Sequence, residues 1–223
     1  MKEILRLYGD KQGVEERIRE LKPYLSDFYV LSRNLDTSVV FDDIDKDDFM
    51  DICDEFEDRI YNDEDVSLEK TLVTFLAAND LKMATAESCT GGLVASSIVA
   101  VSGASEVFYE GLVTYSNDSK IERLGVSEDT LMGYGAVSEE TAKEMAYGLI
   151  SDKVDVAVST TGIAGPLGGT PEKPVGLVYI GIAFRDNDPV AYRYVFDGGR
   201  EQVRQCAKNT ALFLTWQYLK DNL

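Results

Sequence analysis

Residues 85–92 read TAESCTGG and set three candidate nucleophiles, Ser88, Cys89 and Thr90, side by side after an apolar run and before two glycines. Histidine, the usual activator of a hydrolytic serine, does not occur among the 223 residues. A base of another type is therefore needed. Lysine serves when its ammonium is desolvated, and a tyrosine hydroxyl can orient or relay the proton. Both stand in the stretch 113–120, VTYSNDSK, which makes Lys120 the leading candidate base and Tyr115 its companion. Taken singly, each has an ordinary reading too, a surface lysine at a helix start and an aromatic on a strand.

Three stretches could hold an anion. Glu87, Ser88, Cys89, Thr90, Gly91 and Gly92 lie where a strand gives way to a helix, and backbone N–H groups at such a helix start can take a phosphate or stabilise an oxyanion. The competing reading is a plain helix cap with Ser88 or Thr90 as N-cap. Residues 160–176, TTGIAGPLGGTPEKPVG, form a loop rich in glycine and proline, long for a mere connection. There Thr161, Gly162, Ile163, Ala164 and Gly165 are candidate ligand contacts through close backbone approach. Arg200 and Arg204 lie one turn apart at the start of the last helix, where the dipole disfavours cations, so they suggest either an anion site or a pair of salt bridges. Neither a Walker A lysine nor a GxSxG elbow is present.

The elements that would position these residues follow from periodicity. Ile4–Tyr8 alternates like a strand, Val14, Ile18 and Leu21 recur at helical spacing, 28–32 and 37–41 read as strands, and Phe49, Ile52, Cys53, Phe56 and Ile60 mark one helix face. This is a small βαββα unit over residues 1–62. Beyond the linker YNDEDVS, residues 66–223 alternate: helix 68–78, strand 81–86, helix 91–101, strand 107–115, a helix capped by Ser138 through 150, strand 154–159, paired strands 176–184 and 190–196, and a long final helix. The fold class is α/β, a three-layer α/β/α domain with a mixed sheet behind the smaller unit.

A net charge of −18 makes nucleic acid an improbable partner and restricts anionic ligands to local basic pockets. The absence of a long apolar run or a signal-like start predicts a cytoplasmic protein with no membrane contact. Cys53, Cys89 and Cys206 lack CxxC spacing, which argues against a disulfide framework and a zinc site. Asp43, Asp45, Asp47, Asp51 and Asp54 imitate calcium-loop spacing, but Asp48 occupies the glycine position and Asp54 replaces the bidentate glutamate.

Taken together, ATAESCTGGLVASSI, YEGLVTYSNDSKIERLGV, GAVSEETAKEMA, VSTTGIAGPLGGTPEKPVGLVYIG and GGREQVR resemble the C-terminal amidohydrolase domain of the CinA family. The unit before it more weakly resembles the family's small interdomain module. The resemblance implies hydrolysis of the carboxamide of nicotinamide mononucleotide to nicotinate mononucleotide and ammonia. It implies Ser88 as nucleophile with Tyr115 and Lys120 as activating partners, and no metal or cofactor. The large molybdopterin-binding-like domain of full-length members has no counterpart here, so its pyrophosphatase activity is not expected. A homo-oligomer, a dimer, is expected. The alternative function is a non-catalytic nucleotide-binding module on the same loops.

Overall fold

A computed structural model describes residues 2–223. The small unit is a four-stranded antiparallel sheet covered on one face by two helices. Its elements are β1 (Glu3–Tyr8), α1 (Lys11–Leu21), β2 (Phe28–Arg33), β3 (Asp36–Phe41), α2 (Lys46–Glu55) and β4 (Ile60–Asn62), with strand order β2-β3-β1-β4. Alternation explains the covered face. Leu5 and Leu7, Phe28 and Val30, and Val39 and Phe41 all point to the side where Val14 and Ile18 of α1 and Ile52 and Phe56 of α2 pack. The unit is thus βαββαβ rather than βαββα. The helix expected to run to Ile60 stops at Glu55 with Phe56 as its cap, and Ile60 enters β4 beside Leu7. The calcium-like aspartates lie on and before α2, where Asp45 caps the helix and Lys22 sits 2.8 Å from Asp48 and 2.5 Å from Asp51.

The larger unit comprises α3 (Leu68–Ala78), β5 (Met83–Glu87), α4 (Leu93–Val99), β6 (Phe108–Val113), α5 (Asn117–Leu124), α6 (Glu128–Gly133), α7 (Glu139–Tyr147), β7 (Val156–Gly162), β8 (Leu177–Phe184), β9 (Val190–Val195) and α8 (Arg200–Asn222). The sheet order is β6-β5-β7-β8-β9, with β6, β5 and β7 parallel and β8 and β9 antiparallel. Two separate cores flank it. On one face Met83, Val156, Val158 and Ile180 pack against α3, α4 and α8; on the other Ala84, Ala86 and Ala157 pack against Leu124 of α5 and Met145 and Leu149 of α7. This is the expected three-layer mixed α/β/α arrangement. Ser67 and Ser138 cap α3 and α7, as their positions predict.

β5 is the switch point of this sheet. The chain leaves it by α4 on one face to reach β6, then returns by α5, α6 and α7 on the other face to reach β7 on the opposite side. The C-terminal end of β5 is therefore the position at which ligands bind in open α/β sheets. The two units meet along α8. The Tyr8 ring stacks on Phe213 at 4.5 Å and its hydroxyl lies 2.9 Å from the Thr210 hydroxyl, Asn209 donates to the carbonyls of Arg33 and Asn34, and Gln217 donates to that of Asp58. Among the described residues no helix is long and apolar enough to cross a membrane.

Candidate active site

Strand alternation sorts the three adjacent nucleophiles. Met83, Thr85 and Glu87 face the α4 side of β5, while Ala84 and Ala86 face α5 and α7. Ser88 continues the second series and Cys89 the first. Accordingly Ser88, 9% exposed, lies with its Oγ 3.1 Å from Lys120 Nζ, whereas Cys89, 6% exposed, joins the core formed with α3 and α8. Burial pushes the Cys89 thiol up to about 12, so it is a packed, protonated side chain at neutral pH.

Lys120 is 1% exposed and sits on the same face of α5 as Leu124. Its ammonium nitrogen is 2.7 Å from the Thr114 carbonyl and 3.1 Å from Ser88 Oγ, and no carboxylate lies within salt-bridge distance among the described residues. Burial without a counter-ion disfavours the charged form and lowers its pKa from the ordinary lysine value. A neutral lysine amine donating to Thr114 keeps a lone pair for the Ser88 hydroxyl proton. This is the geometry of a serine–lysine pair.

Glu87, expected among the substrate contacts, is instead buried beneath the helix start. Its carboxylate accepts from the amides of Gly92, Val94 and Ala95 at 2.9, 3.1 and 2.8 Å and from the Thr90 hydroxyl at 2.7 Å. It therefore caps α4 in place of Ser88 or Thr90, and the Gly92 amide is occupied. Gly91 and Gly92 turn the chain at φ +61° and +95°, a region other residues enter only with strain, and this double turn brings the helix start back over Glu87. Thr90 also meets the Thr160 hydroxyl at 2.6 Å, and Ser88 N–H donates to the Thr160 carbonyl, so β7 and the 88–92 turn are tied together.

The other candidates divide. Arg204 donates to the carbonyls of Cys89 and Thr90 at 3.2 and 2.8 Å and pairs with Glu201 at 2.8 Å. Arg200, exposed, bridges the Gly165 carbonyl at 3.0 Å and the Tyr115 hydroxyl at 3.3 Å. Tyr115 is 65% exposed and bonds to Arg200 rather than to Ser88 or Lys120, because β6 ends at Val113 and the chain turns after Thr114. The expected loop begins later than residue 160, because pairing with β8 carries β7 through Gly162: Thr161 is buried on that strand and donates to Ala136, Gly162 abuts the Leu177 carbonyl, and Ala164, past the strand end, packs in the core. Ile163 pairs its backbone with Leu177 and Gly176, and the Gly165 carbonyl accepts from Arg200.

A family model for the CinA C-terminal domain matches residues 65–219. The chain belongs to the CinA family. A CinA relative from Caldicellulosiruptor saccharolyticus, described as competence-damage inducible, is 40% identical across 94% of this chain and 54% of its own length. A CinA-like protein of Kosmotoga olearia is 52% identical across 69% of the chain and 37% of its own length. The chain thus spans about half or less of the length of these relatives. Among solved structures, the competence/damage inducible protein CihA from Agrobacterium tumefaciens is 40% identical, with TM-score 0.65 over 70% of this chain and 94% of its own. A CinA superfamily protein from Escherichia coli is 36% identical, with TM-score 0.64 over 69% and 87%.

Two residues beside the Ser88 turn of this CinA chain escaped sequence reasoning. Thr160 ties the 88–92 turn to β7, and Thr114 supplies the carbonyl for Lys120 while its own hydroxyl is buried without a partner among the described residues. A polar residue inside a strand buried on both faces, as Thr85, Glu87 and Thr160 are, was the available signal.

Proposed function

We propose that this CinA chain is a serine–lysine amidohydrolase that converts nicotinamide mononucleotide to nicotinate mononucleotide and ammonia. The observation that carries the reading is Lys120 Nζ, buried and without a carboxylate partner, 3.1 Å from Ser88 Oγ. Neutral Lys120 takes the Ser88 proton as Oγ attacks the carboxamide carbon, and the negative charge of the tetrahedral intermediate falls to amides of the 89–91 turn. The resulting Lys120 ammonium then protonates the departing nitrogen, which leaves as ammonia. Water, deprotonated by the same lysine, hydrolyses the Ser88 ester and releases the carboxylate. Histidine is unnecessary to this cycle, and so is a metal.

Arg200 is the residue best placed to read the nucleotide phosphate. It is exposed and holds only a carbonyl and a phenol, both weaker partners than a phosphate. Tyr115, beside it, would then line the substrate rather than relay the proton in this conformation. Assembly as a dimer belongs to the same reading and is checked by light scattering. Ammonia release from nicotinamide mononucleotide by the wild-type chain, abolished in Ser88→Ala, tests the function. Binding measured by calorimetry without turnover would replace it with a nucleotide-binding module.

A further inference from the structure

Arg204 approaches the nucleophile turn from one side only. α8 lies in the α3/α4 layer, and from there the guanidinium grips two successive carbonyls, Nε to Cys89 at 3.2 Å and Nη2 to Thr90 at 2.8 Å. In a planar trans peptide the C=O and the following N–H point in opposite directions. The N–H partner of the Cys89 carbonyl is that of Thr90, and the partner of the Thr90 carbonyl is that of Gly91. Drawing both carbonyls toward α8 therefore aims both amides away from it, toward the α5 layer. That is the layer from which Lys120 reaches Ser88.

The amides are free for the task. Glu87 occupies those of Gly92, Val94 and Ala95, and Ser88 N–H donates to Thr160, but the N–H groups of Thr90 and Gly91 have no protein acceptor among the described residues. A guanidinium on the carbonyl side also polarises each peptide and strengthens its N–H as a donor. Resting on Ser88 as the nucleophile, we propose that Arg204 is a positioning residue. It sets the Thr90 and Gly91 amides as the oxyanion site and does not read substrate phosphate. Its third contact, with Glu201, fixes the side chain from the solvent side.

The test compares Arg204→Gln and Arg204→Lys with wild type in two assays. The first is the rate at which a fluorophosphonate labels Ser88, located by mass spectrometry, which needs an oxyanion site but no nucleotide. The second is kcat and KM for nicotinamide mononucleotide and for nicotinamide riboside, which lacks the phosphate. Loss of oriented donors costs about 10²–10³ in kcat per donor. Arg204→Gln is therefore expected to slow labelling and kcat by at least about 10²-fold, equally for both substrates, with KM within about threefold and the pH midpoint of Lys120 unchanged. Arg204→Lys, which keeps the charge and one donor, is expected to fall between, and it carries the test if the glutamine variant does not fold. A raised KM for the mononucleotide alone, at unchanged kcat and labelling, would overturn the proposal in favour of a phosphate ligand. If wild type is labelled at Ser88 but hydrolyses neither nucleotide, the substrate reading fails while the labelling rates still decide the role of Arg204. A wild type that is neither labelled nor active overturns both.

Discussion

Replacing Glu87 measures how much of the site depends on one buried carboxylate. Four of its bonds lie between 2.7 and 3.1 Å, three of them from amides at the start of α4. Glu87→Ala leaves those three donors without the carboxylate, at about 1–3 kcal/mol for each buried orphan. Gly91 is exposed and Gly92 half-buried, so water can reach part of the vacated space, and the lower half of that sum applies, about 3–6 kcal/mol. Glu87→Gln is the sharper probe. Its remaining oxygen can still serve Thr90, Gly92 and Val94, while its NH2 replaces the oxygen that accepts from Ala95, so one donor is orphaned and about 1–3 kcal/mol is lost. Urea midpoints at constant m-value give both numbers, and Ser88 labelling reports the turn. An alanine variant within about 1 kcal/mol of wild type, or a glutamine variant as damaged as alanine, would refute the cap-by-cap reasoning.

Three further outcomes are expected. Lys120→Met abolishes turnover, by about 10⁴-fold or more, and in wild type kcat/KM rises with pH through a midpoint below the ordinary lysine value of about 10.4. The folded-state pKa is the lower one, so the folded protein binds fewer protons than the unfolded and wild type gains stability as pH rises through that window. The advantage of the methionine variant in urea must shrink over the same range, and a constant or growing difference contradicts the assignment. Cys89→Ala keeps most activity, and native Cys89 resists thiol reagents at pH 8 because its thiol is buried and protonated; rapid labelling with inactivation would make it the nucleophile. Residues 66–223 alone retain turnover but melt several degrees lower, since truncation removes the Tyr8 ring from Phe213 and Tyr61 from the main core; calorimetry beside ammonia release checks both halves.

Much of this architecture was written in local patterns. Alternating or continuous apolar runs located every strand but β4, and Ser67 and Ser138 announced their helices. The misread elements were those whose causes lie outside the residues that suggested them. Phe56 and Ile60 stand at helical spacing with no breaker between them, yet Ile60 is drawn into β4 by pairing with Leu7, more than fifty residues earlier. Ser88 and Thr90 looked like helix caps, but the cap is the Glu87 side chain reaching forward over two left-handed glycines. The site residues were legible as chemistry, whereas their directions were not. That Lys120 is buried followed from sharing a face with Leu124, and that Tyr115 turns outward to Arg200 depended on where β6 ends.

The final helix serves two masters. Its N-terminal turns carry Arg200 to Gly165 and Arg204 to the 88–92 turn, while Asn209, Thr210, Phe213 and Gln217 farther along hold the small unit. Each residue advances a helix by about 100°. One residue inserted or deleted between Arg204 and Asn209 would therefore swing one set of side chains a quarter-turn or more off its partner, however conservative its chemistry. The interval between them acts as a phase relation, so changes to the small unit and to the 88–92 turn are bound to remain in register with each other.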